Sequence, residues 1–364
     1  MNTVINIHNN IHFSVLFLSF HTVTEIGSDF MQKINQKSYA EFYMRIIKKA
    51  AAALAALIIC LFPASAASAE DHIKWVDFNV SKAALQDTLD FCTARHEAGS
   101  DADFSDVLAF IGTEYGGNFA NYSKKDLEKA AEVLDSGSTL YDAAQNKKLY
   151  SYLSEAYGAV LDGMVGSYTE YTADGRKSEK YGLMAYSPIA AGYYYSHFDD
   201  FGAARSFGYK RNHLGHDLMG SVGTPVIAVE GGYVEACGWN MYGGWRIGIR
   251  SYDGKRYYYY AHLRKGHPYN NMYEGKQVCA GEVIGYLGMT GYSSKRDVNN
   301  INVPHLHYGM QVIFAPEQKD GWNQIWIDMY ALTDFLYKNR AAVEKSEDGE
   351  YISLRYSVPD GFPD

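Results

Sequence analysis

The feature that most constrains the fold is a series of short apolar and aromatic runs, separated by glycines, in the second half of the chain. After Phe201 these runs are TPVIAV, GYVEACGW, WRIGIRSYDGKRYYYYAHL, EVIGYLG and HLHYGMQVI. β-Branched and aromatic residues in short runs bounded by glycine are typical of strands, and the Asp253-Gly254 pair predicts a hairpin turn. We therefore expect a compact antiparallel sheet or sandwich, closed by a helix from Ile327 to about Val343.

The segment before this sheet has helical periodicity instead. In KKDLEKAAEVLDSG, which follows Ser123, apolar residues recur at the i, i+3, i+4 and i+7 positions of one helix face. Asp126 is placed like the acidic partner of a capping box, and Gly137 stands where such a helix would stop. A second amphipathic face runs from Leu149 to Met164. The sequence predicts a small helical bundle or hairpin here.

The N-terminal part of the chain contains a targeting pattern. A basic segment at 44–49 precedes an apolar run of 13 residues at 50–62 and the small-residue sequence PASAASAE. This order predicts a secretory signal peptide cleaved after Ala66 or Ala69, because a bilayer-spanning helix needs about 20 apolar residues. Translation beginning at Met44 would account for the upstream residues; a longer signal or an uncleaved anchor is the alternative.

These patterns predict an α+β protein with several divisions. In order they are a segment outside the mature protein (1–43), a signal peptide (44–69), a helical accessory domain (70–166), a linker or arm (167–197), a small antiparallel β domain (198–343) and an acidic C-terminal tail (344–364). The mature protein is expected to be secreted, without a stable membrane span. Nothing in the sequence indicates its oligomeric state.

Charge and composition exclude some classes of function. The chain is 47% hydrophobic and 21% charged, which is ordinary for a globular protein. Its net charge of -9 argues against a nucleic-acid partner, because nucleic-acid binding requires a basic surface.

The predicted mature chain keeps three cysteines, Cys92, Cys237 and Cys279. An odd number means that at least one stays free or pairs between chains. Cys237 and Cys279 flank strand-like segments and could form a disulfide.

Two histidines stand two residues apart in VPHLHYGM, where His305 and His307 surround one leucine. In a strand, residues two apart point to the same face. Both imidazoles would therefore face one space, either as half-buried core residues or as one edge of a metal site.

A second motif, RNHLGHD, places His213 and Asp217 four residues apart. A straight strand would separate their Cα atoms by about 13 Å, too far for donors that must both lie ~2 Å from one ion. A bend is required, and Gly215 is midway, where a chain can turn at little cost. His216 would then point elsewhere. A further histidine, His262, follows the strand-like run YYYYA.

In order, the segments RNHLGHDLMGSVGTPVIAVEGGYV, GWNMYGGWRIGI, YYAHL, GEVIGYLGMTGYS and PHLHYGM resemble the lysostaphin-type zinc metallopeptidases. The sequence is similar to the LytM-like endopeptidases of this group, which cut peptide bridges in bacterial peptidoglycan. The resemblance covers roughly residues 198–316, about a third of the chain.

The resemblance implies a small antiparallel β-rich fold with a groove over a bound Zn²⁺. It implies that His213, Asp217 and His307 are the zinc ligands, and that His262 and His305 are the two active-site histidines that do not bind the metal. One of these two would take a proton from water and the other would stabilise the oxyanion; the sequence does not divide the roles. The implied function is a secreted zinc metalloendopeptidase acting on peptidoglycan stem or cross-bridge peptides.

Two departures from the family pattern leave alternatives open. The segment SKRDVNNINV at 294–303 is longer than the usual link and should form a loop beside the site. The helical region has no counterpart in the minimal peptidase, and some relatives carry an inhibitory segment over the zinc. A catalytically silent or lid-inhibited envelope scaffold or regulator on the same fold is therefore the alternative function.

A second activity is suggested by Thr113-Glu-Tyr-Gly-Gly-Asn118, which resembles the helix end that carries the acid of lysozyme-like transglycosylases. The downstream segment of that family does not follow in place. We therefore interpret Glu114 as a solvated glutamate at a helix C-terminus.

Overall fold

The structure is a computed structural model that describes residues 72–207 and 209–362. The predicted segments 1–43 and 44–69 lie outside the described residues. Contacts group His72–Asp364 into one compact unit. Among the described residues, no helix combines the length and apolar composition that crossing a membrane requires.

Helices dominate the first part of this unit. They are α1 (Lys82–Glu97), α2 (Phe104–Glu114), α3 (Asp126–Asp135), α4 (Leu140–Ala143), α5 (Lys147–Leu161) and, much later in the chain, α6 (Tyr330–Leu336). Side-chain oxygens cap the first two: the Ser81 hydroxyl accepts from the Ala84 amide, and the Asp103 carboxylate accepts from the Asp106 amide. Helix α2 lies in the middle of the bundle, because eight of its eleven residues are buried.

Helix α3 ends as its sequence predicts but begins only at Asp126, and its N-cap residue Lys125 makes no side-chain capping hydrogen bond, so the predicted capping box forms in part. The Asp126 carboxylate accepts a hydrogen bond from the Ser123 amide at 3.3 Å, which is the backward contact of a capping box. Leu127 and Ala130 are buried on the inner face. Gly137 has a φ of 78°, a conformation that favours glycine after a helix. Glu114, at the end of α2, is exposed and pairs with Lys129 at 3.3 Å.

Strands make up most of the remaining described chain. In chain order they are β1 (Val165–Thr172), β2 (Lys177–Leu183), β3 (Ala204–Phe207), β4 (Tyr209–Asn212), β5 (His216–Met219), β6 (Pro225–Ile227), β7 (Gly232–Asn240), β8 (Gly244–Ser251), β9 (Arg256–Ala261), β10 (Gln277–Val278), β11 (Val283–Tyr286), β12 (His305–Val312), β13 (Ile325–Ile327), β14 (Val343–Lys345), β15 (Tyr351–Ser353) and β16 (Arg355–Pro359). The named strands pair antiparallel throughout. The predicted α+β class, with an antiparallel sheet after a helical region, is confirmed.

The largest sheet carries the candidate site. Its order is β10-β7-β8-β9-β12-β13, and β5 pairs with β12 beside this path. The predicted hairpin at Asp253-Gly254 joins β8 to β9, and Gly254 has a φ of 77° in the turn. Leu306, Tyr308 and Met310 on β12 are fully buried, so this strand runs through the core.

Two segments that the sequence predicts as a linker or arm (167–197) and an acidic tail (344–364) instead contain strands. β16 pairs with β1, and β1 pairs with β2, in a three-stranded sheet. The buried Glu170 carboxylate accepts from Lys180 at 2.6 Å and from Arg355 at 3.0 Å. In the sequence, charges such as these predict exposed, irregular segments. In the structure they pair across neighbouring strands, so the same charges are compatible with a sheet.

The closing helix is also shorter than predicted. Ile327 is the last residue of β13, and α6 covers only Tyr330–Leu336. Beyond it, Arg340 donates hydrogen bonds to the backbone oxygens of Ile189 and Ala190. These contacts with residues far away in the sequence hold the chain after Leu336 in a non-helical conformation.

None of the three cysteines of the described chain, Cys92, Cys237 and Cys279, forms a disulfide. Cys237 lies on β7 and Cys279 follows β10, and no disulfide joins them.

A buried charge cluster links the helices to the sheet. Arg256 on β9 is 2% exposed and donates to both oxygens of Glu230, at 2.8 and 3.0 Å. It also donates to the backbone oxygen of Ala159 on α5 at 3.1 Å. A Cβ on Gly163 would lie 1.9 Å from the Glu230 carboxylate, so only glycine fits where the chain leaves the helices. The helical region thus packs directly on the sheet.

Glu230→Gln tests this link. The substitution leaves the Arg256 charge buried with only Asp253 as an ionic partner, so the free energy of unfolding should fall by about 3 kcal/mol. Urea unfolding measures the change. The matched control is Glu235→Gln, which removes the more exposed pair with Arg250 and should cost under ~1 kcal/mol. Equal losses in the two variants would contradict this account.

Candidate metal centre

Three residues predicted as metal ligands lie together. The Nε2 atom of His213 is 2.9 Å from the Nδ1 atom of His307. The Oδ1 atom of Asp217 is 3.1 Å from each of these nitrogens. The three potential ligand atoms thus form a nearly equilateral triangle, the one group of its kind in the part of the chain that the structure describes.

Sheet register and one bend create this triangle. Asp217 on β5 lies directly opposite His307 on β12 in their antiparallel pairing, and the chain bends at Gly215 to bring His213 back to them. The φ angle of Gly215 is outside the left-handed region. Glycine is required for another reason: a Cβ there would lie 2.5 Å from the His307 Cε1 atom. The predicted bend is present, but close packing, rather than a special φ, requires the glycine.

Asp200 orients the first of these imidazoles. The Nδ1 atom of His213 lies 3.1 Å from the backbone oxygen of Asp200 and 3.1 Å from its carboxylate, which is 4% exposed. With its proton on Nδ1, His213 directs the lone pair of Nε2 into the triangle. Arg205 donates to Asp200 at 2.8 Å and to the second oxygen of Asp217 at 3.2 Å.

Sequence reasoning missed Asp200 and Arg205. Both lie in DDFGAAR, a polar segment without periodicity, and reach the site only through the tertiary structure.

The electrostatics of the triangle favour a cation. Burial alone would raise the pKa of the Asp217 carboxyl group. The hydrogen bonds to His213 and His307 outweigh this effect and lower the pKa below its usual range. Burial lowers the pKa of His307, despite the neighbouring carboxylate. A carboxylate and two imidazole lone pairs about 3 Å apart repel one another unless a positive charge lies between them.

The donor set fits a metal ion. Tetrahedral zinc with bonds of ~2.0–2.1 Å separates its ligand atoms by about 3.3 Å; the separations of 2.9 to 3.1 Å here are close to that value. Two nitrogens and one carboxylate oxygen are a ligand set that zinc accepts and that Ca²⁺ and Mg²⁺, which prefer oxygen, do not.

The two remaining predicted histidines lie beside the triangle. His262 directly follows β9 with a φ of 61°, and its Nδ1 atom donates to the Thr290 backbone oxygen at 2.8 Å. His305 Nδ1 donates to the Val303 backbone oxygen at 2.8 Å. The rings of His262 and His305 have centroids 4.8 Å apart. Because Nδ1 carries the proton in both, each Nε2 has a lone pair that can accept a proton.

Burial lowers the pKa of His262 well below its ordinary value, and the imidazoles of His305 and His307 lower it further. His262 is therefore neutral in the resting protein. The Nε2 atom of His305 lies 3.7 Å from the Asp217 carboxylate, so this ring borders the triangle without joining it.

His216 does not join the group, as the sequence predicts. It is fully buried, with its Nε2 atom 2.7 Å from His197 and its Nδ1 atom 3.4 Å from the Asp200 carboxylate. The pKa of His216 is lowered to about 3, mainly by burial and to a smaller extent by the neighbouring His197. His216 thus supports the residues behind the triangle.

A groove of about 350 Å³ opens over the triangle. Besides the five predicted site residues, its lining includes two arginines and several aromatic residues: Arg205, Arg211, Tyr242, Tyr257, Tyr259, Tyr292 and Trp326. No described residue between 72 and 166 lines it. Within residues 72–166 the helical region thus contributes no wall to this groove.

The long loop at 294–303 is held firmly beside the site. The Asp297 carboxylate accepts from the Trp245 indole N–H and from the Gly266 amide, each at 2.8 Å. Asn300 donates to the backbone oxygen of Tyr292 at 2.6 Å. The loop does not line the groove itself; it fixes Tyr292, which does.

Comparison with known proteins identifies relatives of the sheet-bearing part. Residues 211–321 match the profile described as Peptidase family M23. The chain is 43% identical over 119 residues to an L-Ala--D-Glu endopeptidase of Bacillus subtilis, which covers 32% of this chain and 34% of that protein. It is 41% identical over 98 residues to the glycyl-glycine endopeptidase ALE-1 of Staphylococcus capitis. This alignment covers 27% of this chain and 24% of that protein. The chain thus spans only about a third or less of these curated relatives.

One solved structure is similar over a longer stretch. A protein of Ruminococcus gnavus, provisionally described as the glycyl-glycine endopeptidase lytM, aligns with a TM-score of 0.50 at 23% identity. The alignment covers 74% of this chain and 92% of that one. At this identity the similarity concerns the fold, and it extends beyond residues 211–321.

Gly215→Ala tests the packing of the triangle. The new methyl group would displace the His307 imidazole, so affinity for a divalent metal should fall at least ~10-fold, as it does when supports of a metal ligand are disturbed. Competition with a chelating dye measures the affinity. Gly166→Ala is the control, because its Cβ meets only the Met184 side chain at 3.8 Å. Unchanged affinity in Gly215→Ala would contradict the proposed crowding.

Proposed function

We propose, from the premise that residues 211–321 form a domain of peptidase family M23, that this protein is a secreted zinc metalloendopeptidase. Its substrates would be the stem or cross-bridge peptides of bacterial peptidoglycan. The observation that carries the proposal is the triangle of His213, Asp217 and His307, with the imidazoles of His262 and His305 beside it and a groove above it.

His213, Asp217 and His307 would hold the metal through Nε2, Oδ1 and Nδ1. When bound, zinc acts as a Lewis acid that lowers the pKa of water and polarises a carbonyl group. The protein's own part would be to orient the two imidazoles and to hold the Asp217 carboxylate ionised, since hydrogen bonds to His213 and His307 lower its pKa against the effect of burial. Asp200 and Arg205 would orient this set from behind.

His262 and His305 would carry out the proton transfers. Each holds its Nδ1 proton against a backbone oxygen, so each presents Nε2 to the groove. One would accept the proton of the attacking water and pass it to the leaving amine. The other, once protonated, would donate a hydrogen bond to the developing oxyanion.

The substrate class follows from the relatives. Proteins named as an L-Ala--D-Glu endopeptidase and a glycyl-glycine endopeptidase share 43% and 41% identity with this chain. Both names describe cleavage of peptides, and we extend that to this protein. The aromatic walls of the groove suit an extended peptide, since tyrosine and tryptophan offer apolar faces with polar edges.

Secretion rests on the sequence alone. The basic segment, the apolar run and the Ala-Ser-Ala pattern at 44–69 have the order of a signal peptide. We propose that export places the site in the bacterial envelope or outside the cell, where its substrate is found.

A silent or lid-inhibited scaffold is the alternative. Two observations favour an active site instead. All five predicted site residues are present in one groove, and no described residue of the helical region lines it.

Substitution of the two neighbouring histidines of β12 tests the assignment. His307→Ala should lose both bound zinc and hydrolysis of purified cell walls. His305→Ala should keep stoichiometric zinc and lose at least ~100-fold in turnover, because only proton transfer is removed. Atomic absorption and release of free amino groups provide the two measurements.

His267→Ala is the matched control, because this exposed histidine pairs with Glu350 outside the groove. It should retain both zinc and activity. If His307→Ala still bound one zinc per chain, the ligand set would be wrong. If zinc-loaded protein hydrolysed no wall peptide, the scaffold would be the better account.

A further inference from the structure

We infer that His197 is a positioning residue of the metal centre, because it holds His216 against the carboxylate that orients the ligand His213. The inference deepens the proposed metallopeptidase function and rests on one part of it, the assignment of His213 as a metal ligand. His197 and His216 lie behind the triangle and do not line the groove.

A chain of polar contacts runs from helix α6 to His213. The Asp334 carboxylate of α6 is 3.3 Å from the Nε2 atom of His197, and the Nδ1 atom of His197 is 2.7 Å from the Nε2 atom of His216. The Nδ1 atom of His216 is 3.4 Å from one oxygen of Asp200, whose other oxygen is 3.1 Å from the Nδ1 atom of His213. Two residues, His216 and Asp200, therefore connect His197 to the ligand.

Two buried atoms in this chain depend on each other. His216 is fully buried, and Asp200 is almost fully buried. Apart from their mutual contact of 3.4 Å, neither the Nδ1 atom of His216 nor the Oδ1 atom of Asp200 has a hydrogen-bond partner among the residues that the structure describes. Buried polar atoms are costly when they are left unpaired. The favourable arrangement of His216 therefore carries its proton on Nδ1 and directs it at Asp200.

This arrangement requires His197 to be a donor. A neutral imidazole has one N–H group and one lone pair, so a proton on Nδ1 of His216 leaves a lone pair on its Nε2 atom. The Nδ1 atom of His197, 2.7 Å away, is placed to donate to that lone pair. If His216 donated to His197 instead, its Nδ1 lone pair would face the Asp200 carboxylate and be repelled by it. His197 thus selects the tautomer of His216.

His197 is held in place by its backbone and by an aromatic ring. The preceding residue, Ser196, exchanges backbone hydrogen bonds with Met219 at 3.0 and 2.8 Å, which fixes this segment beside the end of β5. The ring of Tyr330, the first residue of α6, has its centroid 5.2 Å from that of His197 and 5.6 Å from that of His216. The two imidazoles are therefore confined to one relative orientation, as a positioning role requires.

Asp334 competes for the proton of His197. Its carboxylate attracts a proton to Nε2, whereas the contacts toward Asp200 require the proton on Nδ1. The Asp334 side chain is 35% exposed and that of Asp200 is 3% exposed. Because water screens the more exposed carboxylate, the interaction toward Asp200 is the stronger one. An asparagine at 334 would offer an N–H group to the Nε2 lone pair and would favour the same inward arrangement.

The test compares the Zn²⁺ affinity of variants at positions 197 and 334, measured by competition with a chelating dye at about pH 8, above the range in which an ordinary imidazole titrates. His197→Gln, whose amide reaches the Nε2 position, should bind ~3- to 10-fold more weakly, less than the ~10–100-fold typical of direct supports of a metal ligand. His197→Asn should stay within about twofold of the wild type, because its amide places an N–H group where Nδ1 stands. Asp334→Asn should bind at least as tightly as the wild type.

The visible absorption of bound Co²⁺ provides a second measurement, because it depends on the geometry of the ligands. His197→Gln should change this spectrum and His197→Asn should preserve it. His96→Gln is the matched control, because His96 also pairs with a carboxylate, Asp101, and stacks on an aromatic ring, Tyr181, but lies outside this chain of contacts. It should alter neither affinity nor spectrum. Urea unfolding of the metal-free proteins shows independently whether each variant is folded.

Three results would overturn the inference and leave the proposed function standing. The first is a folded His197→Gln protein with the affinity and spectrum of the wild type. The second is an equal loss in His197→Asn and His197→Gln, which would assign the effect to packing. The third is weaker binding by Asp334→Asn, which decides the matter even if His197→Gln does not fold. If folded wild-type protein bound no zinc, the proposed function itself would fail.

Discussion

The antiparallel pairing of β5 with β12 is the interaction on which the candidate site depends. It sets Asp217 opposite His307, and the alternation of side chains along β12 places His305 on the same face. A slip of one residue would turn both histidines into the core and bring Leu306 and Tyr308 to the groove. The buried Leu306 and Tyr308 therefore fix the register that keeps the ligand atoms together.

Support for this sheet comes from the side away from the groove. The Arg256 guanidinium links β9, Glu230 and the end of α5, and a glycine at 163 allows the helices to approach the carboxylate closely. No described helical residue enters the groove. The helical region thus supports the sheet, and we attribute the geometry of the site to β-strands and the loops between them.

The predictions that were wrong concern segments rich in polar and charged residues. The hairpin of β1 and β2 and strand β16 look like a linker and a tail because their charges are frequent. Glu170 pairs with Lys180 and Arg355 across neighbouring strands, so those charges are compatible with a sheet. Asp200 was missed for a related reason, since a single acidic residue in a loop carries no periodic signal.

The sequence by itself showed two histidines on one strand face and a His213–Asp217 pair that needs a bend, and its resemblance to the lysostaphin-type metallopeptidases indicated His213, Asp217 and His307 as candidate metal ligands. It also determined the helical region and the hairpin at Asp253-Gly254, which depend on local periodicity and turn preference. Only the tertiary structure decided that Gly215 is needed for close packing and that Arg205 and Arg211 reach the groove. Those facts depend on contacts between residues far apart in sequence, and no local pattern encodes such distances.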